Sequence, residues 1–524
     1  MGPIPSMEEP LNPNRWIILV GLILAAVMEV LDTTIVNVSL PQMAGNLGAT
    51  TEEIGWVATG YILSNVVVLP LTAWLSFRFG RKRYLGASIL LFVGASFFCG
   101  TSTSLVSLVG WRIVQGAGGA ALLSTAQATI REIFPREQQG LVQSIYVLGI
   151  IVAPTLGPTV GGWITDNYSW HWNFLINVPI GLLAFFLVFS FLEDSTFHMK
   201  VQKLDVAGIL LLTSGLGCLQ YALESGNDKG WFESSAIVWP FLIASITLPI
   251  FVWWQLSPRN EQPVVNLRVL RNRELSAALV LFVVLGFGLY GGVFIFPLFA
   301  QSVMGLSPTE TGLSMLPGGI ATGIAAITVG RLLNGPRPRF DPRLSIVLGL
   351  GLFVTSMFDL GSLPAYAGSG DVQLALIVRG FGLGMLFVPI NLAAFATLRG
   401  AEIAQGAAML NLSRQIGGTF GIAALGSFIT RQAAYARVDL LSNLYAGNPA
   451  LQQRIEGAAQ ALVARGYSPA GAHQAAFALI DRSVSVQAHT IAFNSGFILI
   501  GIVSIVSSVA ILALRKPEPL PRAA

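Results

Sequence analysis

The sequence predicts an all-α membrane protein that crosses the bilayer fourteen times. Three observations predict it. Of its 524 residues, 53% are hydrophobic and only 11% are charged, against about 25% charged residues in an ordinary soluble domain. Apolar runs of about 20 residues, enough to cross the hydrocarbon, recur along the whole chain. The lysines and arginines also gather in alternate loops, as a chain that crosses the membrane back and forth requires.

The predicted spans are 16–38, 54–75, 84–103, 105–128, 141–164, 173–192, 205–223, 235–256, 275–300, 308–333, 344–363, 372–396, 404–430 and 490–514. The first begins near Trp16. It is too long, and too charged in its second half, for a cleaved signal peptide, and it reads as a retained helix. An even number of spans puts both termini on one side, and the basic residues make that side cytoplasmic. The clusters "RFGRKR" (78–83) and "RNR" (271–273) then fall inside. Only Lys229 lies in a short outer loop, while Arg431, Arg437, Arg454, Arg465 and Arg482 share one long outer loop, where the charge rule is weak. Tryptophans 16, 56, 74, 163, 170, 172, 231, 253 and 254 sit near span ends, as an interfacial belt requires. The net charge of +4 follows this membrane pattern and calls for no nucleic-acid partner.

The long outer loop, 431–489, carries helical signals. Leu451, Ile455, Ala458 and Leu462 share one face. Ser468 followed by Pro469 reads as a helix start. A short helical hairpin over the outer face is expected, either as a passive lid or as a docking surface. A weak repeat is also visible: "VGWRIVQGAGGAAL" (109–122) resembles "LIVRGFGLGMLF" (376–387), each with an arginine ahead of close glycines. Two facing bundles with a midplane site between them are the usual build of a secondary transporter.

Charged groups inside the spans carry the functional reading. A carboxylate at the bilayer centre costs roughly 2.5–3.5 kcal/mol even on lenient scales, so such groups point to function. Glu29 and Asp32 lie three residues apart on one helix face. At 1.5 Å per residue, Asp32 falls roughly 9 Å and Arg112 roughly 10 Å below the outer surface. Equal depth allows them to pair. Burial raises a carboxyl pKa and a nearby arginine lowers it, so a carboxylate balanced between the two suits proton coupling. A static ion pair is the alternative, and Glu29 alone would also serve to attract cations. Arg379 and Arg414, with Gln115 and Asn37, serve either substrate or helix packing. Gly149, Pro154, Gly157, Pro158, Gly161 and Gly162 in "GIIVAPTLGPTVGGW" (149–163) predict a kinked, tightly packed helix suited to a conformational switch.

Several classes are excluded or unsupported. There is no G-x-x-x-x-G-K-[ST] loop, no G-x-S-x-G and no H-E-x-x-H. Cys99 and Cys218 form no framework and read as buried apolar residues. None of the four histidines (171, 198, 473, 489) is mid-span, so no metal or cofactor site is expected. A non-transporting sensor or scaffold would not need buried titratable groups.

These motifs resemble the major facilitator superfamily, in its fourteen-helix drug:proton antiporter branch. "LDTTIVNVSLP" (31–41) is similar to that branch's first-helix motif, "RIVQGAGG" (112–119) to the span-4 motif, and "APTLGPTVGG" (153–162) to the span-5 antiporter motif. "WHWNFLINVPIG" (170–181) and "LDVAGILLL" (204–212) resemble the fourteen-helix members, with EmrB-type exporters nearest. The resemblance implies a six-helix bundle over 16–192, two additional helices over 205–256 and a second bundle over 275–514, with 1–15 and 515–524 as cytoplasmic ends. It implies proton-driven export of varied lipophilic compounds across a bacterial inner membrane, with Arg112 in proton coupling. It also implies a periplasmic adaptor and an outer-membrane channel, for which 431–489 is the natural contact. A dedicated exporter of one metabolite, fatty acid or siderophore is the alternative. One departure stands out: "AWLSFRFGRK" (73–82) has Phe77 where the family's inner-gate loop carries an aspartate, leaving Arg78, Gly80, Arg81 and Lys82.

Overall fold

Helix starts in this chain are written into short local motifs. Thr50 and Ser307 each accept from the backbone N–H three residues on, and Glu53 and Glu310 reach back, giving two capping boxes. Asn272, Asn448 and Ser468 cap three further helices. Between caps the apolar runs are helical, because in hydrocarbon every backbone polar group must be satisfied within the segment.

The computed structural model describes residues 13–193, 205–227, 229–333, 341–398, 401–442, 444–445 and 448–513. The helices are α1 (Arg15–Ile35), α2 (Leu40–Leu47), α3 (Thr51–Val68), α4 (Thr72–Phe79), α5 (Arg81–Cys99), α6 (Leu105–Ile133), α7 (Arg136–Asn167), α8 (Trp172–Leu175), α9 (Asn177–Phe191), α10 (Val206–Ser225), α11 (Ser235–Leu256), α12 (Arg273–Ser302), α13 (Pro308–Leu332), α14 (Pro342–Leu360), α15 (Ser369–Phe395), α16 (Ala401–Ser442), α17 (Pro449–Val463) and α18 (Pro469–Ser507). No strand occurs among the described residues.

Twelve of these segments are long and apolar enough to cross a membrane, α3 and α4 acting as one, and α7 makes thirteen despite its bend. The remaining predicted span, 404–430, lies within α16, a helix too rich in small and polar residues to meet the same measure. The expected kink is present: Glu137–Pro154 and Thr159–Asn167 meet at 50°. Pro154 is buried. Gly149, Gly157 and Gly161 face α1, where a methyl at Gly149 would meet Val27 at 2.7 Å and one at Gly161 would meet the Ile35 carbonyl at 2.5 Å. Gly162 stands 3.6 Å from Val38 by the same measure. Pro158 falls at the bend.

The two halves repeat one packing plan. α1 packs on α7 and α9, and α12 packs on α16 and α18; α3 and α5 pack on α6, and α13 and α14 pack on α15. α7 packs along α13 to join the halves, and α16 packs against α6. The additional pair, α10 and α11, sits against α3 and α16. Asp205 anchors this pair, accepting hydrogen bonds from the Gly208 N–H, Trp254, Gln255 and Asn260.

The outer segment is helical, but not as an isolated hairpin. α16 runs on to Ser442, and α18 starts at Pro469 and continues unbroken into the last span. α17 folds back on the first turns of α18, where Ile455 and Ala459 bury against Ala472 and Ala476.

Candidate functional site

Asp32 and Arg112 meet. Arg112 Nη1 lies 2.5 Å from Asp32 Oδ2, and the side chains are 0% and 1% exposed. The pair sits inside a closed polar cluster built by five elements. Gln115 Nε2 and Asn177 Nδ2 donate to Asp32 Oδ1 at 3.0 and 2.9 Å. Both also donate to Ser96. Arg112 Nε donates to the Val57 carbonyl at 2.8 Å, and its guanidinium lies over the Tyr61 ring, 4.2 Å from the centroid. Such desolvated, hydrogen-bonded charge pairs resist disruption, because removing one member strands the other.

Glu29 is separated from that cluster although it shares the helix face. It points to the junction of the halves, where Asn65 donates to Oε1 at 3.3 Å. Arg414 of α16 lies within electrostatic reach of Glu29 and Tyr146, and it donates to the Tyr290 hydroxyl. Glu29 Oε2, the Tyr61 hydroxyl and Asn65 Oδ1 are buried with no hydrogen-bond partner among the described residues. Asp32 is therefore fully engaged, while Glu29 retains capacity for a proton, a water or a ligand group. The two acids share a helix face but not a site: Asp32 lies with Arg112, Gln115 and Asn177 inside the first half, and Glu29 lies with Asn65 toward the junction of the halves.

The remaining predicted residues separate. Arg379 is 6% exposed on α15, and its Nη1 has no partner among the described residues. The side chain of Asn37 lies outside the described residues. In the inner loop, Gly80 adopts φ +86°, a backbone geometry that favours glycine. Arg81 is buried and pairs with Glu132 at the end of α6. Lys82 lies over the Phe189 ring at 5.2 Å, and Arg78 is exposed. Phe77 is an apolar, buried side chain in this loop, and the ion pair found beside it joins Arg81 to Glu132.

The repeat is real, but its register differs from the sequence expectation. A methyl at Gly118 would meet the Phe92 N at 2.8 Å, and one at Gly382 would meet the Phe353 N at 2.7 Å, in matching helix pairs. Gly116 and Gly380 also match, each against a carbonyl of the neighbouring helix. With the glycines aligned, Arg379 stands at the place of Gln115 and Leu376 at that of Arg112. Close backbone approach, not the arginine, sets the register.

Sequence reasoning missed Ser96, Asn177, Tyr61 and Asn65. Each is a polar residue inside an apolar run, the one available signal. It also missed the cross-half set of Gln127, Arg131, Asn391 and Asn411. A cavity of about 350 Å³, walled by Leu212, Leu216, Phe251, Leu279, Ala408 and Met409, lies among α10, α11, α12 and α16, away from both acids.

Paired repeats of membrane-spanning helices around buried titratable groups define a multi-pass transporter rather than an enzyme. Residues 22–422 match the model of the Major Facilitator Superfamily. The chain belongs to that superfamily. It is 31% identical to "Multidrug export protein EmrB" of Haemophilus influenzae over 86% of this chain and 88% of that protein. It is 29% identical to "Fatty acid resistance protein FarB" of Neisseria gonorrhoeae over 96% of each. Among solved structures, the proton:xylose symporter XylE superposes with a TM-score of 0.59 at 13% identity, covering 95% of each chain, a likeness of fold alone.

Proposed function

We propose that this protein is a proton-coupled antiporter that exports varied lipophilic compounds from the cytoplasm or inner leaflet of a bacterial inner membrane. The observation that carries this reading is the placement of two acids at different depths of engagement. Asp32 is locked to Arg112, and Glu29 is left under-bonded between the halves. Rocking of the halves would change the surroundings of Glu29 and loosen the Asp32 cluster through Val57 and Tyr61 of α3. Proton entry supplies the energy, about 2.3 kcal/mol per charge per 100 mV. The aliphatic cavity beside α16 supports a lipophilic cargo, its volume falling within the roughly 300–1,000 Å³ of small-molecule sites. The relatives named for multidrug export support the same reading.

The FarB likeness, which spans nearly all of both chains, favours a second reading in which the cargo is one class of fatty acid. We further propose that α17 and the start of α18 form the contact for a periplasmic adaptor that leads to an outer-membrane channel. The test of transport is reconstitution into liposomes with an imposed pH gradient. Dye or fatty-acid movement against its own gradient, abolished by a protonophore, is expected. Movement that ignores the protonophore would remove proton coupling.

A further inference from the structure

We infer that the buried Arg379 guanidinium binds a monovalent anion, a chloride ion or a carboxylate head, inside the second half of the protein. Each half buries an arginine on its glycine-aligned helix, three residues apart in the shared register, and only one of the two has a carboxylate partner. In the first half, the cation Arg112 has its carboxylate, Asp32, at 2.5 Å. In the second half, Arg379 is 6% exposed, and no carboxylate lies within ion-pair distance of it among the described residues. Its Nη1 is buried without a partner.

The surroundings explain what is missing. Arg379 borders a cavity of about 20 Å³, lined by Leu289, Val293, Met315, Leu376 and Leu383 with Thr322. That volume holds about one water-sized body. The Thr322 hydroxyl donates to the Gly318 carbonyl at 2.9 Å. The guanidinium packs directly on the backbone of Gly292, where a methyl would stand only 3.2 Å from Cζ. A guanidinium offers five donors and no acceptor, so its absent partner is an acceptor. Burying a lone cation at bilayer depth is costly unless an opposite charge accompanies it. A small anion meets both conditions, and the fork of donors suits a carboxylate head. The inference rests on the proposed export function only where the carboxylate is taken to belong to cargo.

The test needs no transport. The purified protein in nanodiscs of zwitterionic lipid is melted with chloride against sulfate, and with octanoate against octanol. A ligand that binds only the folded state raises the melting temperature with its concentration. The wild type is expected to gain several degrees in chloride, in octanoate, or in both; chloride alone identifies the solution ion, and octanoate alone the cargo head. Arg379→Gln is expected to lose the gain and to melt, without anion, no lower than wild type. Arg379→Lys is expected to keep a smaller gain. No anion-dependent gain in the wild type, an equal gain in Arg379→Gln, or an anion-free melting point lowered by that substitution would overturn the inference. A failure here leaves the export reading standing, and failed transport leaves this binding result intact.

Discussion

Gln127 of α6 donates to the side chain of Asn391 of α15, and these two residues occupy equivalent places in the two halves once the glycines are aligned. Asn411 of α16 donates to Gln127 at 3.2 Å, and Arg131 donates to the Asn391 carbonyl at 3.2 Å while lying over the Phe395 ring. All four lie toward the ends of the helices that the basic residues place in the cytoplasm. They tie the halves together there. Loss of one partner in a buried amide pair strands the other, at about 1–3 kcal/mol. Gln127→Ala and Asn391→Ala are each expected to widen the distance between spin labels placed on the cytoplasmic ends of α6 and α15. The double variant is expected to add little beyond either single one. Additive widening would show that the two side chains do not act through each other.

Asp205 joins α10 to α11 and to the linker that follows. Burial alone would raise its carboxyl pKa; the hydrogen bonds from Trp254, the Gly208 N–H, Asn260 and Gln255 outweigh that and hold it below the usual carboxylate value. A depressed folded-state pKa contributes stability above the unfolded value, and that stability is lost as pH falls through the folded value. Asp205→Ala is therefore expected to lower the melting temperature by several degrees at neutral pH. The gap should close in acid below about pH 4, the range of an ordinary aspartate. A gap that persists there would show that the carboxylate charge is not what holds the pair.

The packing of α17 on α18 rests on Ile455 and Ala459 against Ala472 and Ala476. Replacing Asn448–Tyr467 by a flexible linker of equal length removes α17 and leaves the long α18 in place. Vesicle transport is expected to be unchanged, and crosslinking to a periplasmic adaptor to be lost. Crosslinking that survives would move the contact elsewhere.

Much of the helical plan was legible because a membrane span is a property of a continuous run. Asp32 and Arg112 were legible as a pair because helix rise alone puts them at one depth. What escaped was set by neighbours distant in sequence. Glu29 and Asp32 share a face, yet α6 and α9 close around one while α3 and α16 meet the other. The equivalence of Arg379 with Gln115 was hidden because arginines catch the eye, whereas Gly118 and Gly382 do the aligning through backbone contact. The long outer loop was read correctly in its capping residues, Ser468 and Pro469. Its continuity with the last span could not be read, since nothing in the apolar pattern marks where α18 enters the membrane.

The most direct measurement of the central claim is pH-gradient-driven transport by Asp32→Asn in liposomes, set beside wild type and Arg112→Ala. The amide keeps the size of the carboxylate and removes its charge and its proton. Binding of a lipophilic dye is expected to persist, uphill transport to fall by at least tenfold, and the residual flux to lose its dependence on the gradient. Arg112→Ala is expected to insert but not to transport. Uphill transport by Asp32→Asn at the wild-type rate and with the wild-type gradient dependence would contradict the account.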